Sequence, residues 1–139
     1  MIEISSHNER LSPPAKSTVF VVDDDAAVLG SLRFLLETEG FAVRTFRSAT
    51  ALLNAGDMPS ADCYVIDYKM PDINGIELAG RLRKFDRDVP VILITGYPDR
   101  SISTRAAAAG VKDVVLKPLL LDKNLVKCIR RAIQDRRGH

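Results

Sequence analysis

Short apolar runs alternate with helical periods along almost the whole chain, and this alternation limits the architecture more than any other feature. "TVFVV" (18–22) has the content of a strand. A helical period follows from about Ala26 to Glu39, with Val28, Leu32, Leu35 and Leu36 on one face. Asp25 is its natural N-cap and Gly40 its stop. "FAVRTF" (41–46) reads as a half-exposed strand, and Ser48 opens a short helix through "ATALLNA" that stops at Gly56. "CYVID" (63–67) is a third strand. "MPDINGIELAGRLRKF" turns and then forms a helix with Ile76, Leu78, Ala79 and Leu82 mostly inward. Pro90 begins the continuous apolar strand "VILIT" (91–95), and "GYPDRSIS" is expected as a loop leading into "TRAAAAG". "KDVVLKP" (112–118) is a fifth strand, and the last helix runs from about Asp122 to Arg136 with Leu125, Ile129 and Ile133 in register. Five β/α repeats of about 20–25 residues predict an α/β domain, a parallel sheet with helices on both faces. The central strands are continuous Val/Ile/Leu, as burial on both faces requires. There is no internal sequence repeat and no low-complexity segment.

The totals agree with one such domain. The 139 residues suffice for one core and not for two, and 46% apolar content is that of a globular chain. A net charge of +2 gives no reason to invoke nucleic acid. The basic excess is local: Lys123, Lys127, Arg130, Arg131, Arg136 and Arg137 face only Asp122 and Asp135 in the last helix. That pattern reads as a solvated helix face with cations near the C-terminus, where the helix dipole favours them. No apolar run approaches the ~20 residues of a membrane span. "MIEISSHNERLSPPAKS" lacks the apolar stretch of a secretory signal, so residues 1–16 are expected to be a polar, mobile leader. Cys63 and Cys128 lie in apolar patterns and read as buried thiols in a reducing cytoplasm, although a single disulfide stays open.

Open α/β sheets place their sites beyond the carboxyl ends of the strands. After the first strand come Asp23, Asp24 and Asp25; the third ends in Asp67, the fourth in Thr95, and the fifth in Lys117. Singly, each has an ordinary role: a turn former or helix cap, a loop acid, a strand threonine, a surface lysine before proline. Jointly, four of five strands deliver carboxylates, a hydroxyl and an ammonium to one rim. Carboxylates facing one another there would repel unless a cation binds. A ligand set of oxygens without His or Cys points to a hard ion, and Mg²⁺ suits a few carboxylates with retained waters. An Asp beside Mg²⁺ can attack phosphorus and become an aspartyl phosphate, with Lys and Thr neutralising and holding the transferred group. Asp67 is the expected acceptor.

Over roughly Ser17 to Arg136, the motifs "VVDDD", "VIDYKMPDINGIEL", "VILITGY" and "VVLKP" occur in the order and spacing of a known family. The chain resembles the receiver domain of two-component response regulators, most closely those attached to helix-turn-helix transcription regulators. The resemblance implies a doubly wound, flavodoxin-like sheet of five parallel strands in the order 2-1-3-4-5, with five helices. It implies a receiver over 17–136 and a short tail over 137–139. Asp67 would be the phosphoacceptor. Asp24 would bind Mg²⁺ directly, Asp23 would orient it through water, and the Lys69 carbonyl would add a ligand. Thr95 would be the switch hydroxyl, and Lys117 would pair with a phosphoryl oxygen, positioned by a cis bond to Pro118. Pro71 and Gly75 match the turn after the acceptor strand, and Asp25 is left as a helix cap.

Two positions depart from the pattern. The family usually has Tyr or Phe three residues before the lysine, where this chain has Val114, and often Phe after Lys-Pro, where it has Leu119. The usual threonine–aromatic switch is therefore not expected, and the readout near the fifth strand must differ. Lys69 and Tyr97 occupy positions that tune hydrolysis in the family. The Tyr97 ring is expected to hinder water and slow dephosphorylation, the alternative being a ring on the loop surface. The resemblance implies a sensor histidine kinase or a His-containing phosphotransfer protein as donor, an unknown downstream protein, a homodimer as one option, and a cytoplasmic location. The domain would catalyse only its own phosphorylation and dephosphorylation. No output domain follows Arg136, so a stand-alone receiver or part of a larger regulator is expected, with no helix-turn-helix left for direct DNA binding. The alternative is a phosphate-independent receiver-like binding module. A Mg²⁺-dependent phosphatase is disfavoured, because this length leaves little room for a substrate pocket.

Overall fold

A computed structural model describes residues 15–56, 61–97, 99–117 and 123–137. Most of the expected leader, Pro118 with its peptide bond, Leu119 and the last two positions lie outside them. The chain runs β1 (Thr18–Val22), α1 (Ala26–Thr38), β2 (Ala42–Phe46), α2 (Ala49–Leu53), β3 (Cys63–Asp67), α3 (Gly75–Phe85), β4 (Val91–Thr95), α4 (Arg100–Ala108), β5 (Asp113–Leu116) and α5 (Asn124–Arg137). All strand pairs are parallel, in the order β2-β1-β3-β4-β5.

The period-two geometry of a strand sorts the core into two layers. Val19 and Val21 point to the face covered by α1 and α5, with Leu32, Leu36, Leu125, Ile129 and Ile133. Phe20 and Val22 point to the other face, under α2, α3 and α4, with Leu52, Leu78, Leu82 and Ile102. Phe20 is fully buried between Phe46 and Tyr64, with ring centroids 5.6 Å away in each case. Cys63 and Cys128 are both buried thiols, and burial raises the Cys63 pKa well above its ordinary value. No helix of the described residues is long and apolar enough to cross a membrane.

Helix ends follow local chemistry. The Asp25 side chain accepts from the Ala27 and Val28 N–H groups, as a cap should. Asp25→Ala is expected to cost about 1 kcal/mol of stability in urea unfolding. Gly40 (φ +97°) and Gly110 (φ +84°) end α1 and α4 in the left-handed conformation that glycine adopts without strain. Some boundaries and one buried face differ from expectation. α4 begins at Arg100, inside the expected "GYPDRSIS" loop, because Asp99 caps the Ser101 N–H and Ile102 is buried in the first turn. α2 ends at Leu53 rather than near Gly56, and β5 spans only Asp113–Leu116, which leaves Lys117 just beyond the ladder. On α1, Leu29 is buried whereas Val28 and Leu35 are only partly so.

Candidate functional site

The strand order reverses at β1, which has β2 on one side and β3 on the other. A crevice opens at the carboxyl ends of strands at such a reversal. Register brings the expected rim residues to this edge: Val22 lies opposite Ile66, Asp67 opposite Ile94, and Thr95 opposite Leu116.

Asp23 is fully buried. Its N–H donates to the Phe46 carbonyl (3.1 Å), and its Oδ1 accepts from the Asp25 N–H (2.9 Å). Its Oδ2 lies 2.9 Å from Lys117 Nζ, and the same ammonium lies 3.2 Å from Asp67 Oδ1. One lysine thus bridges two buried carboxylates. Asp24 is exposed, yet single carboxylate oxygens of Asp23, Asp24 and Asp67 lie within 4.8 Å of one another.

The electrostatics follow from that crowding. Burial, and then the Asp23 carboxylate, push the Asp67 carboxyl from its ordinary 3.8 up to about 6, while Lys117 pulls it down. Burial acts downward on Lys117, but its hydrogen bond to Asp23 and the charge of Asp67 hold the ammonium above its ordinary pKa. The donor set is oxygen-only and partly desolvated, which fits a hard divalent cation such as Mg²⁺.

Thr95 is buried at the end of β4. Its Oγ1 accepts from the Tyr97 N–H (3.2 Å), and its carbonyl accepts from the Lys117 N–H (2.9 Å). The second bond holds Lys117 beside the acids after β5 has ended. Lys69 is exposed. The Tyr97 side chain is also exposed, at the rim of a groove of about 350 Å³ that Thr95, Arg100, half-buried Val114 and Leu116 help to line. Gly75 packs directly on the acceptor strand, and a Cβ there would lie 2.5 Å from the Asp67 carbonyl oxygen.

Two further contacts reach this region that sequence reasoning missed. Asp72 Oδ2 accepts from both the N–H and the hydroxyl of Thr50, each at 2.8 Å. Burial acts upward on the Asp72 carboxyl, but the bonds from Thr50, together with the backbone N–H groups of Ile73 and Asp72, outweigh it and hold the group at about 2. The Tyr68 hydroxyl accepts from Arg105 Nη2 at 3.1 Å, tying the residue after Asp67 to α4. A Pro-Asp turn signal was visible at Asp72, but no local pattern names its partner 22 positions away.

Comparison with known proteins points the same way as the geometry. The family model for the response regulator receiver domain matches residues 19–130. The chain is 38% identical over 120 residues to the transcriptional regulatory protein FixJ of Bradyrhizobium diazoefficiens, covering 86% of this chain and 58% of that protein. It is 34% identical over 119 residues to the response regulator protein TmoT of Ectopseudomonas mendocina, covering 86% and 54%. The chain spans about half the length of such relatives. Among solved structures, a CheY-like response regulator receiver domain protein from Methanospirillum hungatei superposes with a TM-score of 0.82 at 27% identity, covering 89% of this chain and 98% of that one. Full-length FixJ from B. japonicum superposes with a TM-score of 0.79 at 36% identity, covering 88% and 60%. Matched along most of its length in both sequence and fold, the chain belongs to the family of response regulator receiver domains.

Proposed function

We propose that this receiver accepts a phosphoryl group on Asp67 from a sensor histidine kinase or a His-containing phosphotransfer protein. The observation that carries the reading is Asp67 itself, buried at the end of β3 between an acidic pair and Lys117. Asp24, Asp67 and the Lys69 carbonyl would hold Mg²⁺ directly and Asp23 would do so through water. When bound, the ion supplies positive charge opposite the phosphoryl oxygens. The Asp67 carboxylate attacks phosphorus; the new P–O bond forms as the P–N bond to the donor imidazole breaks, and the leaving nitrogen takes a proton from solvent. Lys117, now shared between Asp23 and Asp67, pairs with a phosphoryl oxygen. Thr95, whose hydroxyl now accepts from Tyr97, donates to another. A shift of that hydroxyl towards the phosphoryl group carries the Tyr97 N–H bonded to it, which alters the β4–α4 loop and changes what the domain binds. The names of its relatives suggest a readout in the control of transcription.

The test is intact mass after incubation with acetyl phosphate and Mg²⁺, in which a P–O bond breaks and acetate leaves. Wild type is expected to gain one phosphoryl group and Asp67→Asn none. Folded wild type that stays unmodified would overturn the reading in favour of a phosphate-independent binding module. Val114, standing where the family's switch aromatic is usual, is the one feature that favours that second reading.

A further inference from the structure

Seven residues, 68–74, join β3 to α3, and in the function proposed above they carry the Lys69 carbonyl to the metal. The ends of this loop are fixed by the sheet and by the helix. The Tyr68 N–H donates to the Ile94 carbonyl (2.8 Å), and the Gly75 N–H closes back on the Tyr68 carbonyl (2.8 Å). The middle is held differently. Met70 and Ile73 are only partly buried on the core, and Lys69 and Pro71 are exposed. Among the described residues, the only hydrogen bonds from 69–73 to another element are the two that Asp72 accepts from Thr50. Thr50 is itself well placed to hold them. Ser48 caps α2 by accepting from the Ala51 N–H (3.0 Å), and Ala49 and Leu52 are buried beneath it. The loop is thus pinned to a helix rooted in the core.

We propose that Asp72 is a positioning residue for the metal and phosphoacceptor centre: clamped by Thr50, it sets the backbone on which the Lys69 carbonyl lies. The inference rests on the proposed function and adds to it a residue that never touches the metal. Groups that orient metal ligands without touching the ion commonly govern affinity, and small displacements of a reacting centre are costly in rate. Both bonds converge on one oxygen, Oδ2, so the clamp requires an sp² acceptor at that position, which the carboxylate charge strengthens. Asparagine can supply that acceptor and alanine cannot.

The experiment measures Mg²⁺ binding to the unphosphorylated chain by titration calorimetry, with phosphoryl uptake from acetyl phosphate alongside. Asp72→Ala is expected to weaken Mg²⁺ binding about tenfold and to slow uptake. Asp72→Asn is expected to restore both towards wild type. Thr50→Ala removes one donor and leaves the loop sequence untouched, so it is expected to shift affinity in the same direction by less; Asp72→Ala/Thr50→Ala should be no worse than Asp72→Ala. A wild-type Mg²⁺ affinity in Asp72→Ala, even with a lowered urea midpoint, would make the clamp purely structural and overturn the inference. Equal loss in Asp72→Asn and Asp72→Ala would overturn it too, since charge would then be the cause. If Asp72→Ala fails to fold, the Asn and Thr50 variants decide. Wild type that neither binds Mg²⁺ nor takes phosphoryl would defeat the proposed function first, and this inference with it.

Discussion

Gly75→Ala is expected to destabilise the domain by about 1–3 kcal/mol and to slow phosphoryl uptake about 100-fold. A Cβ at this position would lie 2.5 Å from the Asp67 carbonyl oxygen and 2.6 Å from Leu93 Cδ1. The leucine is fully buried in the core beneath α2, α3 and α4, so it has little room to yield. The carbonyl belongs to the last residue of β3, so relief requires α3 to lift or the acceptor strand to move. Movement of the strand displaces Asp67 from Lys117, and lifting the helix pulls on the bond from the Gly75 N–H to the Tyr68 carbonyl that closes the acceptor loop. Gly80→Ala on the same helix is the control: nothing lies within 4 Å of its Cβ position, and helix propensity predicts a gain of up to about 1 kcal/mol. Urea unfolding and single-turnover phosphorylation of both variants make the comparison. Equal rates in Gly75→Ala and wild type would show that this contact does not position the acceptor.

Replacing the acceptor should make the fold stronger while removing its chemistry. The folded Asp67 carboxyl is raised from 3.8 to about 6 by burial and Asp23. The folded state therefore binds this proton more tightly than the unfolded chain does. Its contribution is most favourable below 3.8, declines as pH rises through the window from 3.8 to about 6, and stays unfavourable above it. Asp67→Asn removes that penalty and leaves the Asp23–Lys117 pair intact. At pH 8 in EDTA the variant is expected to exceed wild type by on the order of 1–2 kcal/mol, once solvent screening at the rim is allowed for. Near pH 4 the two should converge. Saturating Mg²⁺ should reverse the order, because an ion that binds the folded acids stabilises wild type by mass action. Urea midpoints at pH 4, 6 and 8, with EDTA or Mg²⁺, test each sign; a variant no more stable than wild type at pH 8 in EDTA would show that Asp67 is not under this strain.

The rim was legible because a parallel sheet turns sequence position into spatial position. Asp23, Asp67, Thr95 and Lys117 each sit at or just past a strand end, and the strands all point one way. The start of α4 was not legible. "GYPDRSIS" is polar and carries Pro98, and only Asp99 capping and a single buried apolar side chain, Ile102, mark a first turn whose other residues face solvent. The Asp72–Thr50 clamp left no trace either, since neither residue shows periodicity and the two belong to different repeats. Tyr97 and Val114 were singled out by their positions alone; that they help line one groove with Thr95 is a tertiary fact.

By itself, then, the sequence determined the alternation of elements, the division of each strand between two core layers, and the edge at which polar groups gather. These depend on spacing along the chain: a period of two, a period of 3.6, and polar residues placed where a strand stops. Only the tertiary structure decided that Lys117 reaches Asp23 across 94 positions and bridges it to Asp67, that Gly75 must have no side chain, and that Thr50 holds the acceptor loop. The shifted carboxyl of Asp67 belongs with these. Desolvation and Coulomb interaction depend on distance through space, and distance through space between residues of different repeats exists only once the sheet has assembled.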